Sequence, residues 1–339
     1  MNINDFQHSI YKIQNKTIAL VYIFENENAA GYEHYDIWKS DVISEWILAI
    51  QEINCKPLIL DARTFAEKAF NKSLPQVDAV INLNNGNINL STLALIPSIC
   101  SFIGVPCIPC NTTSIISGEN KFFSNCIAEY SHLNVPPKMS EGEDGIFRSL
   151  NFGSSRGTYK TNRISKQDNG FYQKFICGYD ITTPLLYNPI TEDLEVLPTV
   201  MYYPTNKNIE WFFNEDVKEK RGGYNKTILT IDSELEKKYK ELAKSLQINT
   251  FCRIDARVKT EDSNSWNELL NQSVPFESTY FVEINPMPTI KQNINFHNSL
   301  LAIPNNSKFF DIYNLYIKEK KEIASPTGFI LTCSLLSIL

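Results

Sequence analysis

The run KTIALVYIF (16–24) constrains the fold more than any other stretch: past Thr17 every side chain as far as Phe24 is apolar. A strand with one wet face alternates polar and apolar residues. An unbroken apolar run is expected of a strand covered on both faces, the usual condition of a parallel sheet flanked by helices. The following segments supply such a sheet. SDVISEWILAIQEI (40–53) has helical spacing, with Ser40 or Asp41 as cap. KPLILDA (56–62) and VDAVINL (77–83) read as strands, TLALIPSICSFIG (92–104) as a helix and VPCIPC (105–110) as a short strand. Strand and helix alternating through short connections predict a parallel α/β domain over residues 1–112.

Beyond residue 112 the texture changes. GENKFFSNCIAEYSHLNV (118–135) predicts one helix, with Pro136 and Pro137 at its exit. GIFRSLNFGSSRGTYKTNRI (145–164) reads as two strands joined by a Gly/Ser hairpin, and GFYQKFICGYDITTPLLYN (170–188) as strand, turn and strand. LEVLPTVMYY (194–203) and NIEWFFNEDV (208–217) read as further β segments, and DSELEKKYKELAKSLQ (232–247) as a helix with a capping start. FCRIDARVK (251–259) and TYFVEINPMP (279–288) are strand-like, and 307–323 is the last helical stretch. The expected division is 1–112, a central α+β unit over 113–205, a C-terminal α+β unit over 206–325, and an apolar tail over 326–339. That tail, at about half the length of a membrane-spanning helix, is expected to dock on the protein.

The net charge of −6 leaves no basic surplus for a nucleic-acid backbone, and no membrane contact is expected. MNINDFQHSIYKIQNK lacks the apolar core of a signal peptide, so a cytoplasmic protein is expected. The eight cysteines include a CxxC, Cys107 and Cys110, but no second ligand pair at zinc spacing, so they read as small buried side chains. The basic cluster Lys218, Lys220 and Arg221 suits a polyphosphate or, as readily, a solvated loop.

The chemistry concentrates in FVEINPMP and FCRIDARV. Side chains two apart on a strand share a face, so Glu283 and Asn285 point one way, as do Arg253 and Asp255. If the two strands are neighbours, Asp255, Glu283 and Asn285 converge as hard oxygen donors, suited to Mg²⁺ or Mn²⁺ rather than zinc. The competing reading is a structural ion pair between Arg253 and Glu283. NFGSSRGT (151–158) offers backbone N–H groups and hydroxyls at Gly153, Ser154, Ser155 and Gly157. Such a loop can fold over phosphates, or be a glycine turn with no ligand. It lacks the Lys-Ser/Thr of a P-loop.

Together these pieces resemble the ATP-grasp superfamily, and within it the D-alanine–D-alanine ligase-like carboxylate–amine ligases, from about residue 78 to 300. NFGSSRG is similar to the family's GSSVG loop, FYQKFICGYDIT to its hinge, FFNEDVK to its FYDYEAK segment and FVEINPMP to its LEINTMPG strand. The resemblance implies an N-terminal parallel α/β domain followed by two α+β subdomains clamping ATP. It implies Lys121 and Arg148 on the nucleotide, Arg148 standing where the family has lysine. It places the Gly153–Gly157 loop with Ser154 and Ser155 on the phosphates, Gln173, Lys174, Phe175 and Ile176 around adenine, Asp180 at the ribose and Lys218 at a phosphate. It further implies that Asp255, Glu283 and Asn285 hold a pair of Mg²⁺ ions, and that Arg253, with Lys218 and Ser155, serves catalysis. The implied reaction joins a carboxylate to an amine through an acyl phosphate, with release of ADP and phosphate. The alternatives are a non-catalytic ATP-binding protein of the same fold and a carboxylate or hydroxyl kinase. The substrate half departs from the family: FENENAAG replaces its GGxSxE turn, leaving Glu25 or Glu27 as substitutes, Thr289 replaces a glycine, and KQNINFHN offers Lys291, Asn293 and Asn295 in place of a serine. Small amino-acid-like substrates are therefore expected, and a homodimer by analogy with the family.

Overall fold

The computed structural model describes residues 3–24, 38–84, 90–150, 157–165, 169–214, 217, 223–261, 269 and 273–339. β1 (Thr17–Tyr22) lies inside a four-stranded parallel sheet with β2 (Lys56–Asp61), β3 (Ala79–Leu83) and β4 (Cys107–Ile108), in the order β2-β1-β3-β4. Alternation divides the apolar run between two cores. Ile18 and Leu20 pack with Trp46 and Ile50 of α2 (Ser40–Glu52). Ala19 and Val21 pack with Phe65 of α3 (Ala62–Phe70) and Ile96 of α4 (Leu90–Ile103). Burial on both faces is why no polar residue interrupts the strand.

The helix expected over 118–135 begins at Lys121, after a separate helix. α5 (Thr112–Glu119) stops at Asn120, whose backbone is extended and whose side chain accepts from the N–H groups of Phe122 at 3.1 Å and Phe123 at 3.0 Å. Asn120 thereby caps α6 (Lys121–Tyr130) and makes Lys121 its first residue. A small antiparallel sheet follows, β6-β5-β7, from β5 (Gly145–Ser149), β6 (Thr158–Thr161) and β7 (Gly170–Lys174). The third sheet has six strands: β8 (Gly178–Asn188), β9 (Asp193–Val196), β10 (Thr199–Tyr203), β11 (Asn225–Leu229), β12 (Phe251–Lys259) and β13 (Thr279–Asn285). Its main order is β11-β10-β8-β12-β13. Helix Ser233–Ser245, capped by Asp232, covers one face with Leu235, Tyr239 and Leu242.

The β segment expected over 208–217 does not form among its described residues. Asn206 and Asn208 instead accept from backbone N–H groups two residues on, at 3.2 and 3.0 Å, and turn the chain away from a ladder. Helices that carry no expectation from sequence include α1 (Ile3–Lys12), α3 and Asn295–Leu301.

The apolar tail is helix Pro326–Ile338, and Phe329, Ile330, Leu331, Cys333 and Leu335 are wholly buried. It is anchored through Glu52, buried at the end of α2, which accepts from the Tyr316 hydroxyl, the Ser325 hydroxyl and the Ser325 N–H at 2.8 Å. Gly328 allows this approach: a Cβ there would lie 2.3 Å from Glu52 Oε1. No described helix is long and apolar enough to cross a membrane.

Candidate active site

β12 and β13 are antiparallel neighbours, with Arg253 opposite Asn285 and Asp255 opposite Glu283. Opposed residues of a ladder share a face, so the condition set by the sequence is met: two carboxylates, an amide and a guanidinium occupy one patch. Beyond Asp255 the register slips, Ala256 facing Phe281, so that Val282 is an extra residue on β13. Such a bulge takes a carbonyl out of the ladder, and that carbonyl needs other donors. Val282 O finds them in Arg148 Nη1 at 2.6 Å and Asn125 Nδ2 at 3.2 Å. The bulge thereby draws β5 and α6 onto the strand that carries Glu283.

Glu283 Oε2 lies 3.1 Å from Arg148 Nη2 and 3.7 Å from Lys121 Nζ. Both cationic residues are 5% exposed, whereas the Glu283 side chain keeps 22% of its surface open. Burial lowers the Arg148 pKa, opposed by Glu283 and Asp255. Arg253 grips Asp255 on its own strand, Nε to Oδ1 at 2.9 Å and Nη2 to Oδ2 at 2.7 Å, and the Thr182 hydroxyl donates to the same carboxylate. The fork against Asp255 outweighs the burial that works against the Arg253 charge, and raises its pKa. The ion pair formed by Arg253 is thus with Asp255 and not with Glu283. Hard oxygens from Asp255, Glu283 and Asn285 on one open face match a divalent magnesium-type cation in chemistry. Among the described residues no three His, Cys, Asp or Glu side chains gather as a metal site, so the amide of Asn285 is needed to complete the set.

This patch lines a cleft of about 760 Å³ bordered by the β6-β5-β7 sheet and the six-stranded sheet. Lys121, Arg148, Gln173, Lys174, Ile176, Asp180, Arg253, Asp255, Glu283 and Asn285 all face it. Gln173 Nε2 donates to Asn125 Oδ1 at 2.9 Å, and Lys174 pairs with Glu143 at 2.9 Å. Phe175 is not on the wall; it lies under Lys160 Nζ, 3.7 Å from its ring centre, and near Arg257, at 4.8 Å. Gly157, with φ +62°, opens the chain after the loop. Gly153, Ser154, Ser155, Lys218, Glu25 and Glu27 lie outside the described residues. Of the substrate-side candidates, Thr289, Lys291 and Asn295 line the cleft and Asn293 does not. Lys291 is paired with Asp41.

Two features escaped the sequence reading. Arg257, 4% exposed, donates to Asp180 Oδ2 at 2.6 Å and to the carbonyl oxygens of Ile176 and Trp211. It fixes Asp180 and the hinge before it. Its place two residues past Asp255 in RIDAR, on the same strand face, is the signal that identifies it. The second is an aromatic wall of Tyr202, Phe212, Phe213 and Tyr224 with Lys226 above it. No local pattern announces it.

No protein-family profile matches the chain. It is 23% identical over 283 residues to a D-alanine–D-alanine ligase of Clostridium beijerinckii, covering 72% of this chain and 85% of that protein. Among solved structures, the VanG D-Ala:D-Ser ligase of Enterococcus faecalis superposes with a TM-score of 0.56 at 17% identity, over 89% of this chain and 100% of its own. The D-alanine–D-alanine ligase of Bacillus anthracis complexed with ATP gives 0.56 at 13% identity, over 90% and 96%. The D-alanyl-alanine synthetase A of Vibrio cholerae gives 0.57 at 11% identity, over 91% and 99%. The chain therefore has the fold of the D-alanine–D-alanine ligases.

Proposed function

We propose that the chain is an ATP-dependent carboxylate–amine ligase that joins an amino acid to a second amino acid or small amine, releasing ADP and phosphate. The observation that carries this reading is the β12/β13 register, which sets Asp255 against Glu283 and Arg253 against Asn285 inside a cleft flanked by Lys121 and Arg148. The sequence likeness to a D-alanine–D-alanine ligase supports it.

In this reading Asp255, Glu283 and Asn285 hold Mg²⁺, which when bound neutralises charge on phosphoryl oxygens. Lys121 and Arg148, beside Glu283, set positive charge where the triphosphate lies. Asp180, held by Arg257, meets the ribose hydroxyls, and Gln173, Lys174 and Ile176 edge the adenine. The Gly153–Gly157 loop with Ser154 and Ser155, and Lys218, close over the phosphates. Arg253, locked by Asp255, presents a fixed guanidinium to the oxygen of the acyl group as negative charge develops on it. The substrate carboxylate takes the γ-phosphoryl group as ADP leaves; the amine, having lost its proton, then attacks the acyl carbon and phosphate departs. No side-chain nucleophile takes part. The cysteines fit this: burial raises the thiol pKa of Cys110, Cys252 and Cys333. We assign the units as 1–112, 113–205, 206–325 and the tail, and place a homodimer in the cytoplasm, acting on small amino-acid-like molecules and not on nucleic acid.

Incubation with ATP, Mg²⁺ and pairs of amino acids, followed by ADP and by mass detection of the condensed product, tests the reading. ADP with a matching amide is expected. ADP without amide supports a kinase, and no ADP with any pair supports a non-catalytic ATP-binding protein.

A further inference from the structure

The sheet that carries the charged patch presents a second surface to the same cleft. Met201 and Leu229 point into the core beneath the sheet, so alternation turns Tyr202 and Lys226, paired across β10 and β11, toward the cleft. The Tyr202 ring stacks on Phe213, centroids 4.6 Å apart, and meets Tyr224 edge-on at 5.6 Å; Phe213 and Tyr224 meet at 5.0 Å. Lys226 Nζ sits 5.4 and 5.9 Å from the Tyr202 and Tyr224 ring centres. Among the described residues it has no carboxylate within ion-pair reach. The Tyr202 hydroxyl donates to Asn295 Oδ1 at the N-terminal end of helix Asn295–Leu301. This commits the oxygen of the amide and leaves its N–H pair as donors. The wall lines the same cleft as Arg253 and Asp255.

We infer that these rings, with Lys226 and Asn295, form the subsite of the amine-bearing substrate, and that this substrate is an amino acid with a large apolar side chain, aromatic above all. The rings take the side chain, and the ammonium of Lys226 with the amide of Asn295 takes the carboxylate. An alanine methyl covers little of three rings in mutual contact, whereas an aromatic side chain joins them in offset or edge-on contact. Lys226 repels a basic side chain. The naming of the bound molecule as the amine partner rests on the ligase reading; the binding preference does not.

The test is calorimetric titration of the full chain with phenylalanine and alanine, each as both enantiomers, in the presence of Mg²⁺ and a non-hydrolysable ATP analogue. One enantiomer of phenylalanine is expected to bind at least about tenfold tighter than alanine. Tyr202→Ala should narrow that ratio to within about threefold while leaving affinity for the ATP analogue unchanged. Lys226→Met should weaken phenylalanine but not phenethylamine, which has no carboxylate. Phe213→Leu, apolar at a half-buried position, serves as a second variant should Tyr202→Ala fail to fold. Alanine binding as well as phenylalanine, neither binding, or a Tyr202→Ala effect confined to the nucleotide overturns the subsite. Amide formation is scored separately. Tight phenylalanine binding without amide sinks the ligase reading and spares the subsite, whereas ready amide formation with alanine preferred does the reverse.

Discussion

The charged corner and the aromatic wall share one sheet and one cleft, but they are held in place by opposite means. In the corner each side chain is positioned by a partner of opposite charge or by a backbone carbonyl: Arg253 by Asp255, Arg148 by Glu283 and the Val282 carbonyl, Arg257 by Asp180 and the carbonyl oxygens of Ile176 and Trp211. Such fixed forks have one good geometry, as the proposed chemistry on a triphosphate requires. The wall is rings resting on rings, with the Tyr202 hydroxyl donating to Asn295. Ring contacts tolerate sliding, which suits recognition of a side chain by shape. A fold common to several ligases can therefore keep the first region and rebuild the second.

The largest effect that would break this contrast lies in the corner. Glu283→Gln is expected to lower kcat roughly 10³-fold, read by ADP release. Because it also removes the carboxylate facing buried Arg148 and Lys121, it should cost about 2 kcal/mol in urea unfolding, discounted from a fully buried pair for the partial exposure of Glu283. An equal loss of kcat in Phe213→Ala would erase the distinction between the two regions.

The next effect is one of pH. Helix Asn295–Leu301, which carries Asn295 to the wall, is anchored by His297, 2% exposed, whose Nε2 lies 2.9 Å from Thr327 Oγ1 and 4.0 Å from Glu45 Oε2. Burial lowers its pKa to about 4 from 6.5, against the opposing pull of Glu45. The folded value lies below the unfolded one, so the unfolded chain takes up the proton first. The stabilisation is whole above pH 6.5 and is lost as pH falls toward 4, by about 3 kcal/mol in all. Urea midpoints between pH 7 and 4.5 should fall in the native chain and fall less steeply in His297→Gln.

A milder probe is Arg148→Lys. One ammonium cannot serve both Glu283 Oε2 and the bulged Val282 carbonyl as the guanidinium fork does. A loss of about 1 kcal/mol in stability and a rise of about tenfold in the KM for ATP are expected, both recoverable from one preparation. Smallest of all, Phe213→Ala should leave the KM for ATP within about twofold, since the ring faces the side-chain end of the cleft. A larger rise would place the nucleotide against the wall.

How much of this was legible follows from the range of the forces involved. The apolar run 16–24 announced a strand buried on both faces, and Ile18 with Leu20, and Ala19 with Val21, do enter separate cores. Glu283 and Asn285 stood out because carboxylates and amides are costly in a strand without a purpose. The helix expected over 118–135 begins later, at Lys121, because the Asn120 side chain takes the N–H groups of the next turn and caps it there. The stretch 208–217 was misjudged for a related reason, the Asn206 and Asn208 turns overriding its aromatic β propensity.

By itself the sequence determined which residues are amphipathic, where caps fall and which strand faces are polar, because these depend on neighbours within about one turn or two residues along the chain. Tertiary structure alone decided that β12 and β13 pair, that the extra residue is Val282, that Glu52 receives the C-terminal helix and that Tyr202, Phe213, Tyr224 and Lys226 form one wall. Sheet order and register come from contacts between residues far apart in the chain, whose formation depends on the whole core and leaves no local period to read.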